Sequence, residues 1–259
     1  MVVSVDITGV LEERLRRLVD LGIYASVSEA VRDALRRLMD ELDLHHIGLM
    51  LYRSGNATLS YICEFTDSPC NRVISYFLEN GTVPLLGSSQ KPARTEIPNQ
   101  ILLAPSALFT VYTSYLGNLL WKLREGGTRL YMAADLENEQ RLWEAYSIHK
   151  GILRHVLAIE AIEPCARMKE KINSKILLSK AEKSTVNAAK TCNIPVLTVD
   201  QRLREALEGF GIKTVGAVEL LYEARARQLI STSEALDIVY SLKSVPLILP
   251  PSAFTDLGR

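Results

Sequence analysis

No apolar run in this chain approaches the roughly 18 residues that a membrane-spanning helix requires. The opening Met1-Val2-Val3-Ser4-Val5-Asp6 lacks the basic-then-apolar leader of a secreted protein, so the expectation is a cytoplasmic one. Cysteine is scarce. Cys63, Cys70, Cys165 and Cys192 lie too far apart for a CxxC metal knuckle or a small disulfide scaffold, and read as reduced thiols. Net charge is missing as well: 30 basic side chains face 30 acidic ones, which by itself argues neither for nor against nucleic acid. GxGxxG, Walker-type and HExxH patterns are absent, and His45, His46, His149 and His155 have no ligand-like context. The aromatics, including Trp121 and Trp143, are scattered and read as core.

What is present is enough apolar residue, 47% of 259, to fold into more than one domain. Charge is unevenly spread. Residues 1–44 carry six basic and nine acidic side chains, whereas 99–259 carry twenty and seventeen. Within the latter, Arg167, Lys169, Lys171, Lys175, Lys180, Lys183 and Lys190 face only Glu170 and Glu182. Such a stripe suits either a solvated helix face or a track for a phosphate backbone, RNA included.

At the N-terminus, Val3, Val5 and Ile7 alternate with Ser4, Asp6 and Thr8, the period of a half-buried strand. Thr8 is the expected cap of a first helix with Leu11, Leu15, Leu18 and Val19 on one face, and Gly22 its terminator. Ser26 or Ser28 caps a second, with Ala30, Val31, Ala34, Leu35, Leu38 and Leu42 as its apolar stripe. One strand and two short helices cannot bury a core alone, and a lone strand has no pairing partner. Two copies solve both problems, so a homodimer or higher homo-oligomer is expected.

The run from VSVDIT through LGIYASVSEAVRDALRRLMDEL resembles the ribbon-helix-helix family of Arc, MetJ and CopG type, over about 42 residues. The resemblance implies a two-stranded ribbon in the major groove of double-stranded DNA, with Val2, Ser4 and Asp6 facing the bases. Ser26, Val27 and Ser28 would approach the phosphates at the second helix's N-terminus. Asp6 departs from the Arg or Lys common there: an acid accepts from cytosine N4 but repels phosphate. A ribbon used only for dimerisation is the bland alternative, and an interaction scaffold with neither DNA nor RNA as ligand is another.

Residues 45–87 read as short helices, one around 47–51, one opened by Thr58-Leu59-Ser60, and one from Cys70 to Asn80 ended by Gly81. ATLSYICEFTDSPCNRVISYFLENGTVPLL resembles a small helix-turn-helix antitoxin-like domain of pattern LSLGKAAELAGLSLEEFLELLAERGIPV. By that likeness Asn71, Arg72 and Ser75 would be presented to DNA, with a packing role the alternative. The polar, proline-containing SSQKPARTEIPN of 88–99 is the expected linker.

From Ile101 short apolar runs alternate with helical patterns: ILLA, a helix over 106–123, RLYM, a helix from about 136, VLAIEAI, helices over 164–191, PVLTV, a helix from Gln201, and IKTV. The expected fold is α/β, a mainly parallel sheet with helices on both faces, in a multi-domain chain whose earlier parts are helical. Working groups in such sheets gather at the strands' carboxyl ends, here Ala104-Pro105-Ser106, Ala133-Ala134-Asp135 and Thr198-Val199-Asp200.

LSKAEKSTVNAAKTCNIPVLTVDQRLREALEGFGIKTVGAVELLYEARARQLISTSEAL, with LILPPSAF at the end, resembles the PIN domain of VapC-type ribonucleases, whose acids hold Mg²⁺ or Mn²⁺. Matched position by position, the first acid is replaced at Ala104-Pro105-Ser106, and the second falls to Glu137 or Glu139. Ser184 stands in the third place with Glu182 two residues earlier, and Asp200 fills the fourth. The expectation is a catalytically degenerate PIN-like domain with no cofactor. The alternative is a metal-dependent ribonuclease around Glu139, Glu182 and Asp200.

Taken together, the sequence points to a sequence-specific DNA-binding protein, an antitoxin-type transcription regulator or DNA-organising protein of archaeal-like character. Its expected parts are 1–44, 45–87 and 100–259.

Overall fold

A computed structural model describes residues 6–92, 96–137, 157–162 and 174–258. The chain divides into two compact units, 1–47 and 48–259.

In the first unit, α1 spans Val10–Asp20 and α2 Val27–Glu41. Gly9, at φ +73°, stands at the N-cap of α1 where Thr8 was expected, and it makes no side-chain cap. Glycine takes this left-handed backbone without a Cβ penalty, so chain direction rather than a hydroxyl starts the helix. Gly22, at φ +72°, ends the turn after α1, where its N–H reaches Val19 O and that of Ile23 reaches Leu18 O. Ser26 caps α2 as expected, its Oγ accepting from Glu29 N at 3.2 Å, while Glu29 Oε2 accepts from Ala25 N at 2.7 Å. Val2 and Ser4, with the body of the expected strand, lie outside the described residues, and residues 6–8 belong to no regular element.

The division of the chain falls inside α3 (Leu44–Arg53). The second unit continues with α4 (Leu59–Phe65), α5 (Cys70–Glu79) and β1 (Leu86–Gly87). Then follow β2 (Gln100–Leu103), α6 (Pro105–Thr113), α7 (Leu116–Glu125), β3 (Arg129–Ala133), α8 (Ala134–Glu137) and β4 (Glu160–Ile162). The remainder is α9 (Lys180–Cys192), β5 (Val196–Leu197), α10 (Gln201–Gly209), β6 (Thr214–Val215), α11 (Ala217–Ala226), α12 (Thr232–Ser244), β7 (Leu247–Ile248) and α13 (Ala253–Leu257).

Five strands form one parallel sheet in the order β4-β3-β2-β5-β6. Leu102 sits opposite Tyr131 on one side and Val196 on the other. Ile101, Leu102 and Leu103 are all fully buried. Successive strand residues point to opposite faces, so both faces of the sheet are covered, as the unbroken apolar run implied. Strand order reverses between β2 and β5, and at such a switch point the connections leave in opposite directions and open a crevice at the carboxyl ends. A second, two-stranded parallel sheet pairs β1 with β7.

Two expectations change here. The helix predicted over 106–123 is two helices, because Ser114 is extended between α6 and α7. Thr113 Oγ1 donates to Phe109 O and Ser114 Oγ to Thr110 O at 2.6 Å, and hydroxyls that bond to the carbonyls behind them compete with helix continuation. Residues 88–99 do not separate compact units: Tyr52, Leu59, Ile62, Val73 and Phe77 share one buried core with the sheet residues. The amphipathic stripes of α4 and α5 are satisfied by the sheet unit and not by a core of their own.

Candidate functional site

The switch point brings together the ends of β2 and β5. Ser106 Oγ and Thr198 Oγ1 are 3.0 Å apart, and Ser106 Oγ also accepts from Val199 N. Thr198 Oγ1 in turn accepts from Asp200 N at 3.2 Å, which fixes the turn that starts α10. Ala104 is the fully buried N-cap of α6 and brings no donor atom to the crevice.

Asp200 caps α10: its Oδ1 accepts from Arg202 N at 2.9 Å and Leu203 N at 3.3 Å. The other oxygen, Oδ2, accepts from Leu59 N at 3.1 Å, the first residue of α4. Glu182 is the third residue of α9 and closes a capping box with Ser179, whose N–H it accepts at 2.8 Å. Its Oε2 also accepts from Thr58 Oγ1 at 2.6 Å, and Oε1 has no partner. Thr58 is the N-cap of α4, so the start of one short helix touches both acids.

Glu182 is completely buried and Asp200 nearly so. Burial, then the like charge of Asp200, pushes the Glu182 carboxyl up to about 8 against the pull of the Thr58 and Ser179 donors. Asp200 is also raised by burial, opposed by the N–H groups of Leu59, Leu203 and Arg202 and by the Arg202 charge. The Arg202 guanidinium stacks 4.3 Å over the Tyr52 ring, whose hydroxyl is pushed up by burial and accepts from Leu85 N. On α4, the Cys63 thiol is raised by burial and by a hydrogen bond with Cys70. Those two cysteines, too far apart in sequence for a CxxC knuckle, are neighbours because the turn at 66–69 folds α5 back beside α4.

Asp135, named above at the carboxyl end of the RLYM strand, is the second residue of α8 and accepts from Ser184 Oγ at 2.7 Å. What the sequence reading did not give is its pairing with Ser184. Glu139 lies outside the described residues. Ser184 and Glu182 serve different neighbours, Asp135 and Thr58, as two residues along a helix turn a side chain by roughly 200°. These residues do not fit a hard divalent ion. Backbone N–H groups take both oxygens of Asp200, a hydroxyl and an N–H take one of Glu182, and Ala104 supplies none. Among the described residues no three His, Cys, Asp or Glu side chains group as metal ligands.

The residues expected to meet DNA are spread over two units. Asp6, Ser26 and Ser28 are exposed and Val27 half-buried in the first, and Arg72 is exposed on α5 in the second. Of the basic stripe, Lys175, Lys180, Lys183 and Lys190 are exposed. Arg167, Lys169 and Lys171 lie outside the described residues. No helix among the described residues is long and apolar enough to cross a membrane. Compared with protein-family models, curated proteins and solved structures, the chain has no significant match.

Proposed function

We propose that this chain is a sequence-specific double-stranded DNA-binding protein, an antitoxin-type regulator or DNA organiser, that works as a homodimer through residues 1–47. The observation that carries the reading is the apolar face of that unit. Among its described residues only Leu15 and Ala30 are buried hydrophobics, while Leu11, Leu21, Ile23, Leu35, Leu38 and Leu42 are exposed. A unit of this size with two buried apolar residues is far from self-sufficient, and a second copy supplies the missing core. The alternating 3–7 segment needs a partner strand for the same reason. The resulting ribbon is what the ribbon-helix-helix likeness aims at the major groove, through Val2, Ser4 and Asp6.

Ser26 supports the phosphate contact, since it holds the first turn of α2 open at its N-terminus, with Val27 and Ser28 N–H groups directed outward along the axis. The 48–259 unit, which holds the catalytically degenerate PIN-like part at 100–259, then acts as an accessory body. Selection of bound duplexes from a random pool, by the full chain at roughly physiological salt, tests the reading. A palindromic motif abolished by the double change Ser4→Ala with Asp6→Ala is the expected result. No enrichment, with duplex binding unaffected by the double change, would overturn it.

A further inference from the structure

The first unit is net acidic, so a duplex bound to it needs a local source of positive charge, and the structure gathers one. Of the six basic side chains in 1–44, Arg32, Arg36 and Arg37 line a single cleft of about 630 Å³ beside the start of α2. Two others, Arg16 and Arg17 of α1, are paired with Glu12 and Glu13 one turn away, at 2.8 and 2.6 Å. The apolar stripe that a second copy would cover does not include the cleft. Counted from buried Ala30, Leu38 and Leu35 lie roughly 80° and 140° round the helix, whereas Arg32 and Arg36 lie roughly 200° and 240°. A dimer through the stripe therefore leaves these arginines open to solvent.

Within the cleft the acids are matched and two of the guanidinium groups are not. Asp33 Oδ2 accepts from Tyr24 Oη at 2.6 Å and faces Arg37 at 3.0 Å. Glu29 Oε2 accepts from Ala25 N at 2.7 Å. Arg32 bends back along the helix, its Nε donating to Ser28 O at 3.2 Å, which brings its guanidinium one turn nearer the start of α2. Arg36, one turn further on, is exposed and makes no hydrogen bond or ion pair among the described residues. Side chains four apart on a helix lie about 5–6 Å from one another at Cβ, within reach of one tetrahedral anion for two planar forks. Like charges at this spacing destabilise a bare helix, and an anion between them reverses the sign.

We propose that Arg32 and Arg36 form a phosphate clamp, one in each copy, that holds a backbone phosphodiester of the bound duplex apart from the bases read by the ribbon. The inference rests on the DNA-binding reading and adds to it the residues that supply its positive charge. Asp33, held by Tyr24, draws off Arg37 and leaves the other two guanidinium groups for the phosphate. A phosphate contact carries no sequence information, so the clamp sets affinity and its salt dependence and not the motif. Each neutralised phosphate contributes about 0.9 to the slope of log affinity against log salt, so two clamps per dimer contribute about 1.8.

Binding of the full chain to a duplex carrying the motif selected from the random pool, followed between about 50 and 200 mM salt, reads this directly. Arg32→Gln with Arg36→Gln is expected to leave the selected motif unchanged and to make the salt slope shallower by about 1.8. Over that range the parent chain then loses roughly tenfold more affinity than the variant. Arg16→Gln, which removes a charge already paired on α1, is expected to keep the parent's slope. Arg36→Gln alone, at a side chain that bonds to nothing in the fold, is expected to shift the slope in the same direction even if the double change unfolds the unit. Ethylation of single phosphates locates the contact: one position in each half-site should weaken binding of the parent chain and leave the double variant indifferent. An unchanged slope in the arginine variants, an equal change in Arg16→Gln, or ethylation effects that persist in the double variant would overturn the clamp and leave the DNA reading standing. A parent chain that binds no duplex overturns the DNA reading, and the clamp with it.

Discussion

The Thr58 hydroxyl donates to the Glu182 carboxyl at 2.6 Å across 124 residues of sequence, and the next residue's N–H reaches Asp200. A helix start from the 48–87 stretch thereby neutralises donor and acceptor needs at the sheet's carboxyl end, which ties two parts of the sequence into one folding unit.

Thr58→Val tests that tie. Valine keeps the shape but removes the hydroxyl, leaving Glu182 Oε2 with one donor and Tyr61 N without its cap acceptor. Burying a polar group without its partner costs about 1–3 kcal/mol. Thermal unfolding at pH 6 should show the second unit less stable by that amount, with Thr58→Ser recovering most of the loss. Equal stability of the valine and threonine forms would mean that the contact contributes nothing.

Asp200→Asn separates charge from hydrogen bonding. The like charge that helps keep Glu182 protonated disappears, so the Glu182 carboxyl should become more acidic than about 8. The folded form then gives up this proton at lower pH, so the fall of stability that begins above about pH 5 should level off before pH 8. The amide group cannot accept at both ends, so one of the N–H groups of Leu59, Arg202 and Leu203 loses its partner, and stability at pH 5 should drop by about 1–3 kcal/mol. Urea unfolding at several pH values distinguishes the lower starting point from the earlier levelling. A fall that continues to about pH 8, as expected of the parent chain, would show that Asp200 does not act on Glu182.

Gly87 marks the small sheet. At φ +83°, with a Cβ position 2.2 Å from Ile248 O, it admits no side chain unless β1 and β7 part. Gly81 has a similar φ of +70° but open space around it. Gly81→Ala should therefore cost only the left-handed backbone penalty of about 1–2 kcal/mol, and Gly87→Ala clearly more. Side-by-side chemical unfolding checks the order of the two.

Much of this architecture is readable in the residues. The apolar runs at 101–104, 130–132 and 196–199 announce strands covered on both faces, because a strand buried on both sides has no polar alternation to keep. Ser26 and Thr58 announce helix starts, since hydroxyls there take the free N–H groups of the first turn. What the residues hide is partnership across distance. The stripe of Leu59, Ile62, Val73 and Phe77 states that α4 and α5 bury a face, not that the sheet unit is what they bury it against. Likewise the PIN resemblance sets Glu182 and Asp200 in one site, but not that Thr58 and Leu59 arrive from elsewhere to take up their oxygens. Asp135 was legible as a strand-end residue, but its pairing with Ser184 was not, because a serine on a helix distant in sequence carries no spacing signal. The break at Ser114 escaped because no proline or strong stop signal marks it; there the Thr113 and Ser114 hydroxyls bond back to the carbonyls behind them.

The dimer proposed for residues 1–47 makes the sharpest demand on Leu38. It lies on α2, half of its surface exposed in a single chain, on the same stripe as Leu35 and Leu42. If the stripe is solvated, Leu38→Glu is a benign surface change, within about 0.5 kcal/mol. If a second copy covers it, two glutamates enter a shared apolar core, and desolvating them costs several kcal/mol. The expected outcome is a shift from dimer to monomer in sedimentation, with a loss of helical circular dichroism confined to what α1 and α2 contribute. DNA binding should fall in the same variant, because the ribbon exists only in the dimer. A Leu38→Glu chain that sediments as the parent does would place the contact between copies elsewhere, and retained binding in a monomer would dismiss the ribbon.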